Sequence, residues 1–230
     1  LPCCLLERFN LRKMTIDLYY SPSGSSCRIV LLAAKSLDVE LNLIPVDIIN
    51  PESLTPEFIK LNPQHCVPTL NDNGFVIWEG KAIITYLQNQ YGKNYDLYPK
   101  DPKKRATVDQ RLFFDTDLYA RFHEVYTPKT FAGSPLDPEA LANANKALDF
   151  LDEFLVKSEY VAGDSLTLAD LSLVVQISNL ELLGHDMSPY KYINRWYAKV
   201  KAIAPGYKEA NEDNLVYVKR LIGHFAQADE

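Results

Sequence analysis

A small α/β unit followed by an all-helical bundle is the architecture this sequence predicts, and three observations predict it. Strand-like alternation, helical periodicity and turn signals succeed one another through residues 14–92. Directly after Gly92, a stretch rich in Asn, Asp, Lys and Pro interrupts the chain at 93–102 and reads as a linker. Beyond it, over 103–230, the apolar residues recur at helical spacing and no convincing strand appears.

The elements follow in order. Ile16, Leu18 and Tyr20 alternate with polar partners as in a half-buried strand. Ser21-Pro22-Ser23-Gly24-Ser25-Ser26 is a turn and helix start, and Ile29, Val30, Leu32, Ala33 and Leu37 then recur at helical spacing. Residues 41–46 read as a second strand, completing a βαβ opening. Thr55-Pro56 offers an N-cap with proline at the first helical position, predicting a short helix through Ile59. Strands at 69–70 and 75–78 are joined by Asn73-Gly74, the residue pair preferred where both turn positions need positive φ. A helix over 80–91 closes the unit, and this β-α-β-α-β-β-α order is that of a thioredoxin-like sheet.

In the second unit, helices are predicted over 103–126, 138–156, 188–201 and 215–225. Thr167-Leu168-Ala169-Asp170 is a capping box, with Thr167 as N-cap and Asp170 at N3, and Leu166 and Leu171 supply the hydrophobic staple. The helix it starts is apolar nearly all round, which predicts the buried centre of the bundle and makes Asp170 a structural carboxylate.

Composition narrows the functional classes. At 230 residues and 47% hydrophobic the chain has ample core for one large domain or two smaller ones. A net charge of −6 argues against nucleic acid or an anionic membrane surface as partner. No apolar run is long enough to span a bilayer. The four cysteines include an adjacent pair, Cys3-Cys4, and two distant ones, Cys27 and Cys66; none has metal-ligand spacing, so no metal is expected and a reduced, cytoplasmic setting is. Residues 1–13, LPCCLLERFNLRK, carry too short an apolar run for a signal sequence, and Met14 reads as the natural start behind a leader or appended segment.

The most informative stretch is LNPQHCVPTL (61–70), with Asn73-Gly74 and Trp78-Glu79-Gly80-Lys81 behind it. A cis Val67-Pro68 bond, which the weak trans preference before proline permits, would turn the N–H and C=O of Val67 toward an extended peptide. Glu79 at a helix start adds a carboxylate beside free backbone N–H groups that suit an anion. A strand mimic, an anion hole and one acid together suit a small, charged, extended peptide such as glutathione.

With these motifs in place the chain resembles the cytosolic glutathione transferases, and the insect delta class in particular. The resemblance runs from about Thr15 to the last helix and is carried by YYSPSGSSCR (19–28), LNPQHCVPTL (61–70), NGFVIWEGKAI (73–83), DLYPKDPKKRA (96–106), DQRLFFD (109–115) and AGDSLTLADLSL (162–173). It implies a homodimer that conjugates glutathione to small hydrophobic electrophiles in detoxification, with glutathione as cosubstrate.

By the same resemblance His65 would bond the glycyl carboxylate, Val67 and Pro68 would supply the backbone cradle, and Glu79 would pair with the γ-glutamyl ammonium. Cys66 adjoins this loop, and Asp115 would pair with Lys81. The departures from the pattern are specific. The family's hydroxyl-bearing serine falls on Gly24, between Ser23 and Ser25; the serine after the glutamate is Gly80; the following arginine is Lys81; and a histidine before the second helix falls on Ser53. A thiol of pKa about 8.5 is only a few per cent ionised at neutral pH, and a hydrogen bond to the thiolate contributes roughly 1.5–3 kcal/mol, or one to two pKa units. Reduced efficiency is therefore expected. Ser25, nearer the helix start, is placed ahead of Ser23 as the substitute hydroxyl, with simple capping as the alternative role. The competing reading is a non-catalytic glutathione- or hydrophobic-ligand-binding protein on the same fold. Cys27 reads as a buried structural thiol. Tyr119, Phe122 and Tyr126 share one helix face and are candidates for an apolar acceptor pocket, with Tyr217 and Phe225 as its lid.

Overall fold

The alternation at the start of the unit produces β1 (Ile16–Tyr20), whose central Leu18 is fully buried. The computed structural model describes residues 15–50 and 52–226; the leader read at 1–13 and the start at Met14 lie outside the described residues. Gly24 turns the chain into α1 (Ser25–Leu37), which buries Ile29, Val30, Leu32 and Ala33. Next come β2 (Asn42–Pro45), a 3₁₀ turn at Glu52–Leu54, and α2 (Pro56–Leu61), capped by Thr55, whose hydroxyl accepts from the Phe58 N–H. A hairpin of β3 (Thr69–Asp72) and β4 (Phe75–Trp78) follows, with Asn73 and Gly74 both at positive φ, then α3 (Gly80–Tyr91).

The strands form one mixed sheet in the order β2-β1-β3-β4. β1 runs parallel to β2 and antiparallel to β3, with Tyr19 opposite Thr69, and Thr69 in turn lies opposite Trp78 on β4. This register brings the loop before β3 and the residues after β4 to the same end of the sheet. α1 and α3 pack together on one face.

The helical part comprises α4 (Pro102–Ala132), α5 (Pro138–Val156), α6 (Leu168–Leu182), α7 (Lys191–Ile203), the short α8 (Tyr207–Ala210), and α9 (Leu215–Ala226). The fold is therefore a thioredoxin-like unit followed by a helical bundle. α6 is buried on nearly every side. Its Asp170 is fully buried and accepts four hydrogen bonds, from the Thr167 N–H and hydroxyl, the Val161 N–H and Trp196 Nε1, each at 2.8–2.9 Å. Burial pushes this carboxyl up while the four donors pull it down.

Several details differ from the sequence expectation. α4 runs past 126 to Ala132 and accommodates Pro128 in its last turns, where the missing N–H interrupts the ladder once. α7 starts at Lys191 rather than 188. Within 93–102 the Leu97 carbonyl accepts from Leu168 N–H at 2.9 Å, and buried Tyr98 donates to Asp109. The 3₁₀ turn, α8 and a second 3₁₀ turn at Glu212–Asn214 are too short to carry a periodic signal.

Candidate active site

The Val67-Pro68 peptide bond is cis. The loop that carries it is held from beneath by Asn62, a fully buried residue that sequence reading passed over. Its amide donates to the Cys66 carbonyl at 3.1 Å and the Thr69 hydroxyl at 2.8 Å, while its oxygen accepts from the Gln64 N–H at 2.9 Å. Buried asparagine in a loop is the signal that would have found it, since a buried amide is retained where every end has a partner. His65 sits exposed in this loop at φ 42°, Cys66 and Val67 are half-buried, and Pro68 is buried. Trp78 Nε1 donates to Gln64 Oε1 at 2.6 Å, tying the loop to β4.

Glu79 follows Trp78 directly, exposed, at φ 72°, and is the N-cap of α3. Gly80 is buried against α1: a Cβ built there would lie 2.9 Å from the Ser26 carbonyl oxygen and 3.3 Å from Ser26 Cβ. The starts of α1 and α3 are thus in backbone contact, and a serine at 80 has no room unless one of them moves. Lys81 reaches across to Asp115 on α4 at 3.0 Å; Asp115 has no solvent exposure and also accepts from Ser172. Sheet register, the Gly80–Ser26 contact and the Trp78–Gln64 bond therefore bring the cis-proline loop, Glu79, Gly80 and the amino end of α1 together. Ser53 stands apart from that group, half-buried on the 3₁₀ turn; its neighbour Glu52 lines a cleft with Ser21, Ser23 and Ile49.

At the amino end of α1, Gly24 is the N-cap and offers no side-chain cap; its φ of −72° and ψ of 122° are open to any residue. Ser25 is the first helical residue. Ser23 lies one step before the cap, its hydroxyl 3.0 Å from that of buried Ser21. Cys27 is fully buried, takes a long contact of 3.4 Å from the Ser21 N–H, and burial pushes its thiol up to about 12. A thiol so placed is inert.

Two cavities meet at this helix end. One, of about 310 Å³, is lined by Ser23, Gly24 and Ser25 on one side and by Tyr119, Phe122 and Tyr126 on the other. The second is the cleft shared by Ser23, Ile49 and Glu52. Ser23 belongs to both; Ser25 lines only the first. The lid differs from the sequence reading. Val218, Leu221 and Ile222 of α9 close the first cavity, whereas Tyr217 faces the second and Phe225 packs edge-on against Phe131 with centroids 4.6 Å apart. Tyr126 bonds His185 Nδ1 at 2.9 Å, and burial holds that imidazole below its ordinary value. Among the described residues no group of three His, Cys, Asp or Glu is arranged to hold a metal.

Such a site offers a polar cradle for an extended peptide, donors at a helix amino end where a charged atom is stabilised, and an apolar cavity beside it. The sequence matches the glutathione S-transferase N-terminal domain model over residues 14–89 and the corresponding C-terminal domain model over 112–199. A delta-class glutathione transferase of Nilaparvata lugens is 57% identical, with 91% of this chain and 99% of that one covered at a TM-score of 0.88. A Bombyx mori glutathione transferase is 42% identical over 92% and 97%, at 0.86. An epsilon-class enzyme of the housefly, Musca domestica, is 33% identical over 93% and 98%, at 0.82. With both halves matched in order and insect delta- and epsilon-class enzymes among its structural neighbours, the chain belongs to the glutathione S-transferase family.

Proposed function

We propose that the chain conjugates the glutathione thiolate to small hydrophobic electrophiles, with Ser23 as the hydroxyl that meets the sulfur. One observation carries the reading: Ser23 alone of the candidate serines lines both cavities, so a thiol resting on it reaches an electrophile in the apolar one. Its hydrogen bond to Ser21 fixes the rotamer, which Ser25 lacks. Val67 and Pro68 present the backbone to the cysteinyl unit, His65 faces the glycyl end, Glu79, Gly80 and Lys81 take the γ-glutamyl group, and Ser53 contributes from the separate 3₁₀ turn, at the position where the family pattern has a histidine. Cys66 borders the cradle as a half-buried free thiol. Tyr119, Phe122 and Tyr126 form the wall against which the electrophile packs, and the Thr167–Asp170 cap and the Lys81–Asp115 pair hold the framework.

The division into a glutathione-binding unit at 14–92, a junction at 93–102 and a substrate-binding bundle from 103 belongs to the same reading. So does a homodimer, supported by exposed Phe75 and Phe113, the latter 77% exposed. The free thiols Cys27 and Cys66 fit a reducing, cytoplasmic setting and a detoxifying role. The acidic charge disfavours nucleic acid, and no described helix is long and apolar enough to cross a membrane. Without the usual serine, efficiency should be reduced. Initial rates with glutathione and 1-chloro-2,4-dinitrobenzene test the proposal: turnover above the uncatalysed rate is expected. Retained hydrophobic-dye binding with no turnover would replace it by the carrier reading.

A further inference from the structure

One polar side of the largely apolar cavity, formed by Arg28, Gln176 and Asn179, has unusual chemistry. Arg28 of α1 is fully buried, yet no carboxylate lies within ion-pair distance of it among the described residues. Its two terminal nitrogens donate instead to neutral oxygens, Oδ1 of Asn179 on α6 and Oδ1 of Asn211 after α8. Burial lowers this guanidinium to about 10, so it still carries its charge at neutral pH. A buried charge without a counter-charge is costly and makes the surrounding field strongly positive.

Arg28 itself borders the cavity, and its field also polarises Asn179 beside it. A guanidinium only donates, so the Asn179 oxygen must face Arg28 and its amide nitrogen must face elsewhere. Asn179 is half-exposed, lines the cavity, and its amide nitrogen donates to no described residue. Three residues earlier on the same helix face, Gln176 lines the same cavity; it is 5% exposed and its side chain makes no hydrogen bond to a described residue. Two amide ends, one polarised by the neighbouring charge, thus share the cavity with the Phe122 and Tyr126 rings and bond to no described residue there.

We propose that Gln176 and Asn179, backed by Arg28, form a subsite for a negatively polarised oxygen of the electrophile, selecting flat acceptors that carry a nitro, carbonyl or carboxylate group. The inference rests on the transferase reading and names its substrate class. In the step it serves, the thiolate forms a bond to the halide-bearing ring carbon and the displaced electron pair moves onto the nitro oxygens. The pair then returns as the carbon–chlorine bond breaks and chloride leaves with the bonding electrons. Charge accumulates at the oxygens between these events, where the amide donors stand. A cavity of about 310 Å³ suits one substituted ring.

The test compares an oxygen-bearing acceptor, 1-chloro-2,4-dinitrobenzene, with an oxygen-free one, benzyl chloride, each kcat/KM divided by its own uncatalysed rate. In Gln176→Leu and Asn179→Leu the ratio of the two should fall about tenfold, the size of a lost hydrogen bond to a charged acceptor. An unchanged ratio in both variants overturns the subsite. Inactivity of the wild type with both acceptors would sink the transferase reading instead. Calorimetry then decides the subsite separately: 4-nitrobenzoate must bind wild type more tightly than either variant, and equal binding overturns it. Should one variant fail to fold, the other carries the comparison.

Discussion

Replacing Ser23 with alanine deletes the hydroxyl proposed to meet the glutathione sulfur, and the effect should appear as a titration. A hydrogen bond to a charged acceptor contributes roughly 1.5–3 kcal/mol, and at about 1.36 kcal/mol per unit the bound thiol should rise by one to two pKa units. The helix amino end persists in the variant, so the thiol should stay below its value in water. The pH profile of kcat/KM with 1-chloro-2,4-dinitrobenzene reads this directly. Well below the pKa the rate should fall about 10- to 100-fold; at alkaline pH the two curves should converge. Ser21→Ala supplies the internal check. Its hydroxyl is buried 3.0 Å from that of Ser23, so its loss frees the Ser23 rotamer and should produce a smaller shift in the same direction. A profile that Ser23→Ala scales down equally at every pH, or leaves unmoved, refutes the assignment; a shift found instead in Ser25→Ala gives the role to that residue.

Three further outcomes are expected. Gly80→Ser, which restores the residue the family pattern would have, should destabilise by roughly 1–3 kcal/mol because its Cβ meets the Ser26 carbonyl at 2.9 Å; a melting temperature lowered by about 2–4 °C per kcal/mol checks this, and an unchanged one contradicts it. Lys81→Met leaves Asp115 buried without its cation and should cost about 2–4 kcal/mol in chemical denaturation, less than for a fully buried pair because Lys81 is 25% exposed; adding Asp115→Leu should recover part of the loss. Burial lowers His185 from 6.5, so the unfolded chain binds more protons in the window below that value, and stability should decline as pH falls from about 6.5. In His185→Leu that decline should be shallower, and an identical slope would show that other groups cause it.

The parts legible in the sequence were those with a local cause. Asn73-Gly74 dictates its hairpin through positive φ, Thr167–Asp170 dictates the start of α6, and Thr55-Pro56 starts α2. The less legible parts depend on long-range contact. Arg28 and Asn179 are 151 positions apart in the chain, and nothing local announces that they meet. Two amides at i and i+3 in a largely apolar helix, at 176 and 179, are the available hint. The lid was misjudged because both faces of α9 carry large apolar groups, and only the packing against α4 decides that Val218 and Leu221 rather than Tyr217 turn inward. In sequence Ser25 lies nearer the helix start; only the folded chain shows that Ser23 borders both cavities and Ser25 one.

The backbone at Glu79 imposes a trade on anyone seeking a hardier version of this molecule. At φ 72° the residue occupies a region that L-amino acids enter at a cost of order 1–3 kcal/mol and glycine enters freely. Glycine is thus the obvious thermostabilising replacement, and it would remove the one acid at the mouth of α3. Selection for robustness and selection for ligand capture pull this position in opposite directions, and its carboxylate records which has prevailed.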